Sequence, residues 1–482
     1  MNKTSENRIP YVQGLRGLAV SIVVLYHAGF FFKGGFIGVD VFFVISGFVI
    51  GKSLSRELEH MGKINWSNFY IRRGRRLLPA LSFTLIFTIF LSWIFFGIGS
   101  IRAITKSLTT GSLFVSNFYF FLERSYVNLA SDPLRNLWSL SVEEQFYFAL
   151  PLLFVLARRN DSPFSKMQTR ILYLGFAVLI LSFVGNVVLV NHSLSFSIPQ
   201  FLLPDRFAFF SPFTRAWEFL VGLLLAISPE KKMPVKLGGI LSWLSIATVL
   251  FFAFWLDSWQ PFPGWFAVPV VLSSAILLTN HGSTSWLRNI FSSRPFVFLG
   301  DISYSFYLLH WPLLVLIKQK YGAEDRNVFI AVLLSLFVSA LVYKYLENPF
   351  RSLHWSKFHN FGLAMLLCVL VPVTLVRALP RFEGKLENSG TATLEGPTIT
   401  ETHGNSINLG SKVCLDLHKQ GLPKDVSGCI EGTDSSLPLV FLIGDSHAYS
   451  VSEGVIASAK RKGRSEEHTS ELQSRFGISY AV

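Results

Sequence analysis

The stretch Gly14–Phe30, GLRGLAVSIVVLYHAGF, decides how this chain is read. It is apolar enough to enter a bilayer, yet it holds Arg16 near one end and His27 near the other. About 20 mostly apolar residues cross a hydrocarbon core of about 30 Å. Comparable runs recur to about Arg377, and only 15% of the 482 residues are charged, against about 25% in an ordinary soluble domain. The expected fold is therefore an all-α polytopic membrane protein. No small-residue cleavage site separates the first run from the next, so it is expected to stay as a span rather than leave as a signal peptide.

Candidate spans fall at 14–31, 36–55, 77–98, 137–157, 171–191, 207–228, 237–256, 264–280, 296–318, 327–347 and 358–378. A twelfth stretch, 104–122, is weaker and rich in Ser and Thr. The formal charge of +13 sits in short clusters between apolar runs, which sets orientation in a membrane rather than marking a nucleic-acid surface. With the N-terminus inside, loop 56–76 is cytoplasmic and carries Arg56, Lys63, Arg72, Arg73, Arg75 and Arg76. If 104–122 does not cross, the later inside loops hold 11 basic residues and the outside loops 4. A full crossing inverts that balance. Eleven spans are therefore expected, with 104–122 re-entrant or at the outer interface, and with residues after 379 outside the cytoplasm.

Ionisable groups inside spans are costly and mark function. Arg16 and His27 lie eleven residues apart, roughly 16 Å along a helix, so they can mark two ends of one path. Asp40, Glu143, Glu144 and His310 fall at depths comparable with His27. A His beside a carboxylate can remove a proton from a hydroxyl. Each can also be an ordinary packed or paired residue, and Glu143 and Glu144 are not expected to face the same way. In FYIRRGRRLLPAL, four Arg start a helix, where the dipole disfavours cations. Orientation alone explains part of this. Arg forks also hold phosphates bidentately, so Arg73 and Arg76, with Arg72 and Arg75 beside them, are candidates for a phosphorylated cytosolic ligand. No metal is expected.

Taken together, Arg16 and His27 at their spacing, GGFIGVDVFFVISGFVI, FYIRRGRRLLPAL, LWSLSVEEQFYF, SYSFYLLHWP and YLENPFR resemble the family-3 membrane acyltransferases, in family order over residues 10–351. The resemblance implies O-acylation of a carbohydrate, acetyl-CoA as donor held near Arg73 and Arg76, His27 as catalytic residue, Arg16 as its companion and Glu143 as a motif carboxylate. Asp40 and His310 are possible supports. The implied acceptor is a surface glycan: an O-antigen of lipopolysaccharide, a capsule or exported oligosaccharide, or peptidoglycan. The implied location is a bacterial inner membrane. A proton-coupled transporter and a membrane-anchored surface esterase are the rival classes.

The expected organisation is a cytoplasmic N-terminus at 1–13, a membrane acyltransferase domain at 14–357, a linking span at 358–378 and an extracytoplasmic linker at 379–435. Residues 436–463 resemble the start of an α/β SGNH-type domain, with Ser446 of IGDSHA as its nucleophile. No Asp-x-x-His block follows, so this domain is expected to be cut short and Ser446 to be stranded. RSEEHTSELQS, at Arg464–Ser474, resembles a translated sequencing adapter, so 464–482 is expected to be an artefactual tail. In an oxidising compartment Cys414 and Cys429 are expected to pair.

Overall fold

The computed structural model describes residues 9–123, 131–157, 164–191, 204–229, 234–257, 260–279 and 285–352, together with Thr374. Apart from Thr374, the span expected at 358–378 lies outside the described residues, as do Cys414, Cys429, Ser446 and the expected adapter segment. Among the described residues every regular element is helical. Six helical stretches are long and apolar enough to cross a membrane: Gly35–Met61, Trp66–Phe96, Leu137–Ala157, Lys166–Val190, Val235–Trp255 and Asp325–Arg351.

Helix α1 (Pro10–Ala28) opens with Pro10 in its first turn, where a missing N–H costs nothing. It stops at Gly29, whose φ of 85° is open to glycine and whose N–H bonds back to Tyr26 O. Helix α2 (Gly38–Met61) follows after a short 3₁₀ turn. Helix α3 (Trp66–Phe96) begins eleven residues before the expected span. Asn65 caps it by accepting from Asn68 N–H at 3.0 Å, so the Arg cluster lies within the helix.

The stretch expected not to cross forms two helices, α4 (Ile98–Ser112) and α5 (Ser116–Leu122), with a break at residues 113–115. Helix α6 (Leu137–Ala157) holds that break. Gln145 Nε2 donates to Phe114 O at 2.9 Å, and Ser116 N–H donates to Ser141 Oγ at 3.2 Å. Helices α7 (Phe164–Val190), α8 (Pro204–Phe210) and α9 (Pro212–Ile227) come next in the chain. The span expected at 207–228 breaks at Ser211–Pro212, because proline cannot continue the preceding helix and Ser211 caps the next one. Then come α10 (Val235–Trp255), α11 (Ala267–Thr279), α12 (Ser285–Phe291), α13 (Arg294–Tyr321) and α14 (Asp325–Val342). A π-helical turn at Tyr343–Glu347 leads into α15 (Asn348–Ser352).

Two glycine-mediated contacts set the distances between the helices that carry the charged residues. Gly47 on α2 and Gly222 on α9 meet backbone: a Cβ on Gly222 would overlap Val44 O, and one on Gly47 would overlap Phe219 O. Gly17 and Gly300 bring α1 and α13 together in the same way, a Gly17 Cβ falling 2.6 Å from Phe296 O. Small residues are the usual means of close helix approach where both helices are bathed in lipid.

Candidate active site

Helices α1 and α13 run parallel at a constant sequence offset. Gly17 meets Gly300 and, ten residues on, His27 meets His310. His27 Nδ1 and His310 Nε2 are 2.8 Å apart. His310 Nδ1 is 3.1 Å from Phe306 O. A carbonyl only accepts, so Nδ1 of His310 carries the proton. The neutral ring then offers Nε2 as acceptor, His27 must donate from Nδ1, and Nε2 of His27 keeps a lone pair. The backbone of α13 thus sets the tautomer of a residue on α1, in the form a general base needs. Trp311 packs edge-on against His27 with ring centroids 4.7 Å apart.

The sequence HWP explains how this part of α13 is held. Pro312 has no N–H, so Leu308 O loses its helical donor. Asn136 Nδ2 supplies one at 3.3 Å and also donates to Tyr307 O at 2.6 Å. Tyr307 in turn shares a 2.6 Å hydrogen bond with Ser139 Oγ. Its ring centroid lies 5.5 Å from that of His310.

Tyr307 and Ser139 form one part of a narrow cavity of about 50 Å³, whose other polar walls include Arg16, Arg73, Arg76, Ser46 and Glu143. The spacing i, i+3 puts Arg73 and Arg76 on one face of α3. Arg73 Nη2 is 3.1 Å from Glu143 Oε1 and 3.1 Å from Glu144 Oε1, and its guanidinium lies 3.3 Å over the Tyr147 ring. Ser46 Oγ donates to Glu143 Oε1 at 2.7 Å, and Tyr147 OH donates to the same atom. Arg76 Nε is buried with no hydrogen-bond partner among the described residues. The cavity therefore presents Arg73, committed to two carboxylates, and Arg76, whose Nε is unpartnered, with Arg16 beside them.

Several expected site residues sit elsewhere. Arg72 turns away from the cavity to Glu57, at 2.9 Å, because it lies one position off the shared face. Arg75 also lies off that cavity wall. Glu143 joins Arg73, not His27, and Glu144 reaches Arg73 too: one long forked side chain bridges two successive residues. Asp40 does not meet His27 either. It is fully buried with Arg215 and Glu218 of α9, Arg215 Nη1 lying 3.1 Å from Asp40 and 3.0 Å from Glu218.

Arg215, Glu218, Tyr307, Ser139 and Asn136 do not stand out in the sequence as site residues. Arg215 and Glu218 leave a signal, two opposite charges at i, i+3 inside an apolar run. Glu347 of YLENPFR is likewise buried. The π-helical turn presents it to Ser305 Oγ at 2.7 Å and to Arg351. Such turns are frequent at functional sites.

Residues 9–346 match the family described as an acyltransferase domain. A peptidoglycan O-acetyltransferase of Listeria monocytogenes, OatA, is 30% identical over 72% of this chain and 56% of its own length. YrhL of Bacillus subtilis, a candidate peptidoglycan O-acetyltransferase, is 30% identical over 74% and 57%. A candidate O-acetyltransferase of Staphylococcus aureus strain COL is 29% identical over 76% and 63%. The chain thus spans about three-fifths of the length of the curated relatives it matches. No solved structure matches it significantly. With the family profile covering the span from Ile9 to Leu346, Arg16, His27, Arg73, Glu143 and His310 included, this chain belongs to the acyltransferase-domain family.

Proposed function

We propose that the chain is an eleven-span membrane O-acyltransferase that moves an acetyl group from cytosolic acetyl-CoA to hydroxyls of a cell-surface glycan. The observation that carries this reading is the His27–His310 pair, with Nε2 of His27 left as the acceptor, on the same helix as Arg16 at the guanidinium-lined cavity. The buried, unpartnered Nε of Arg76 fits an anionic donor headgroup. The cavity is too narrow for a nucleotide, so the phosphates stay at its mouth beside Arg76, Arg73 and Arg16, and only the thioester arm enters.

In the transfer, Nε2 of His27 takes the proton of the attacking hydroxyl as its oxygen bonds the acetyl carbon. The carbon–sulfur bond breaks and the thiolate leaves, taking the proton back from His27. His310 accepts from Nδ1 throughout and steadies the positive charge His27 acquires. Glu143 holds Arg73 in place. Among the three acceptor classes, the names of the Listeria and Bacillus relatives favour peptidoglycan. The expected topology puts the Arg end inside the cell and the His27 end outside. The SGNH-type segment, with Ser446, stands downstream as a relay nucleophile.

The test is acceptor-dependent CoA release from acetyl-CoA by the purified full chain in lipid nanodiscs, with chitotriose as acceptor. His27→Ala is expected to abolish release while membrane content stays normal. Release that survives His27→Ala removes His27 from the mechanism.

A further inference from the structure

A second cavity, of about 400 Å³, opens beside the His27 end of the bundle. It is formed by the last turns of α3 and α13, the first half of α4, the end of α5 and residues 131–133 before α6. We propose that this pocket docks the acceptor of the transfer, a neutral polyhydroxylated ligand of the size of a short sugar chain. Its role as the acceptor site rests on the acyl-transfer reading, but the pocket's chemistry stands by itself.

Three observations carry it. First, its polar lining includes Ser92, Lys106, Glu123, Asp132 and Gln319, with the Tyr119 ring as an apolar face. Sugar hydroxyls both donate and accept, and this set offers carboxylates to receive, an ammonium to give and an amide to do either. Two carboxylates against one ammonium disfavour an anion, in contrast to the guanidinium-lined cavity near Arg16. Second, Ser92 borders this pocket at 1% exposure, and its buried hydroxyl has no hydrogen-bond partner among the described residues. A buried hydroxyl left unpaired carries a free-energy penalty that a bound hydroxyl would remove. Third, the pocket wall is tied to the catalytic pair. Trp311 Nε1 donates to Asp132 O at 2.8 Å while the Trp311 ring covers His27. Gln319 Nε2 donates to Ser131 O at 3.0 Å, and Lys318 Nζ to His27 O at 3.1 Å. One helix, α13, thus holds His310, the cover over His27 and one side of the pocket. The volume lies in the range of small-molecule sites, about 300–1,000 Å³.

Saturation-transfer NMR of chitotriose with the full chain in nanodiscs reads binding without requiring turnover. Wild type and His27→Ala are expected to give the same signal. Ser92→Leu, which fills the pocket, should lose it, and Gln319→Leu, at the exposed rim, should weaken it about five- to tenfold, with melting temperature recorded because the Ser131 O contact goes too. Glucose 6-phosphate should give no signal. No chitotriose signal from wild type, an unchanged signal in both pocket variants, or equal binding of glucose 6-phosphate each overturns the proposal. Failure of the acyl-transfer reading looks different: chitotriose binds through Ser92, yet no CoA is released.

Discussion

Replacing His310 separates a positioning role from a packing role. In His310→Ala the donor at Nδ1 of His27 loses its acceptor, and nothing fixes which nitrogen carries the proton. An unsatisfied buried donor costs about 1–3 kcal/mol. The ring escapes that cost by moving its proton to Nε2, the form useless as a base, so the competent tautomer is depleted about 5- to 150-fold. The value of kcat should fall by that factor, with KM for both substrates within about twofold, because His310 is fully buried. His310→Gln offers an amide oxygen as acceptor in a similar place and should recover kcat to within about fivefold of wild type. The assay is CoA release across pH 6–9 in nanodiscs, with melting temperatures recorded as a control. Equal losses in the Ala and Gln variants, or an Ala variant within twofold of wild type, would refute the tautomer argument.

Other perturbations probe the rest of the frame. Arg76→Ala should raise the apparent KM for acetyl-CoA about tenfold with little change in kcat, because Arg76 holds no internal partner through Nε; an unchanged KM returns it to orientation alone. Arg215→Leu strands Asp40 and Glu218 and should cost about 3–5 kcal/mol of stability, read as a large drop in melting temperature. Adding Asp40→Asn and Glu218→Gln should restore much of it, and a single variant that melts with wild type sinks the ion-cluster reading. Gly222→Ala forces a Cβ onto Val44 O and should destabilise by about 1–3 kcal/mol, again by melting. Burial pushes the Asp132 carboxyl up to about 6, against the hydrogen bond from Leu134 N–H. The folded chain therefore holds this proton more tightly than the unfolded one, so the contribution to stability is full below about pH 4 and lost as pH rises through about 6. Asp132→Asn should flatten melting curves over that interval.

Charged residues inside apolar runs were the legible part of the site. Arg16, His27 and His310 stand out against an apolar background and Arg73 and Arg76 as part of a dense basic cluster, and the structure joins them in two linked groups. What the linear pattern hides is partnership. Nothing local says that Asp40 belongs to Arg215 rather than His27, because that depends on α2 and α9 closing over Gly47 and Gly222. Helix ends were hidden for a different reason. Hydropathy places the start of α3 at Leu77, where charge stops, whereas the helix starts at its Asn65 cap. The split at Ser211–Pro212 was visible as a Ser-Pro pair inside an otherwise apolar stretch, and the 3.6-residue pattern masked it.

The glycine contact between α1 and α13 makes those two helices a lever. Gly17 to His27 is ten residues, about 15 Å of axis, so the imidazoles sit at the far end of an arm pivoted where backbone touches backbone. A change of about 4° in crossing angle at the pivot displaces the rings by about 1 Å, enough to carry a 2.8 Å contact beyond hydrogen-bonding range. The angular tolerance of the His27–His310 contact is therefore only a few degrees, and it is set by two residues that have no side chain at all.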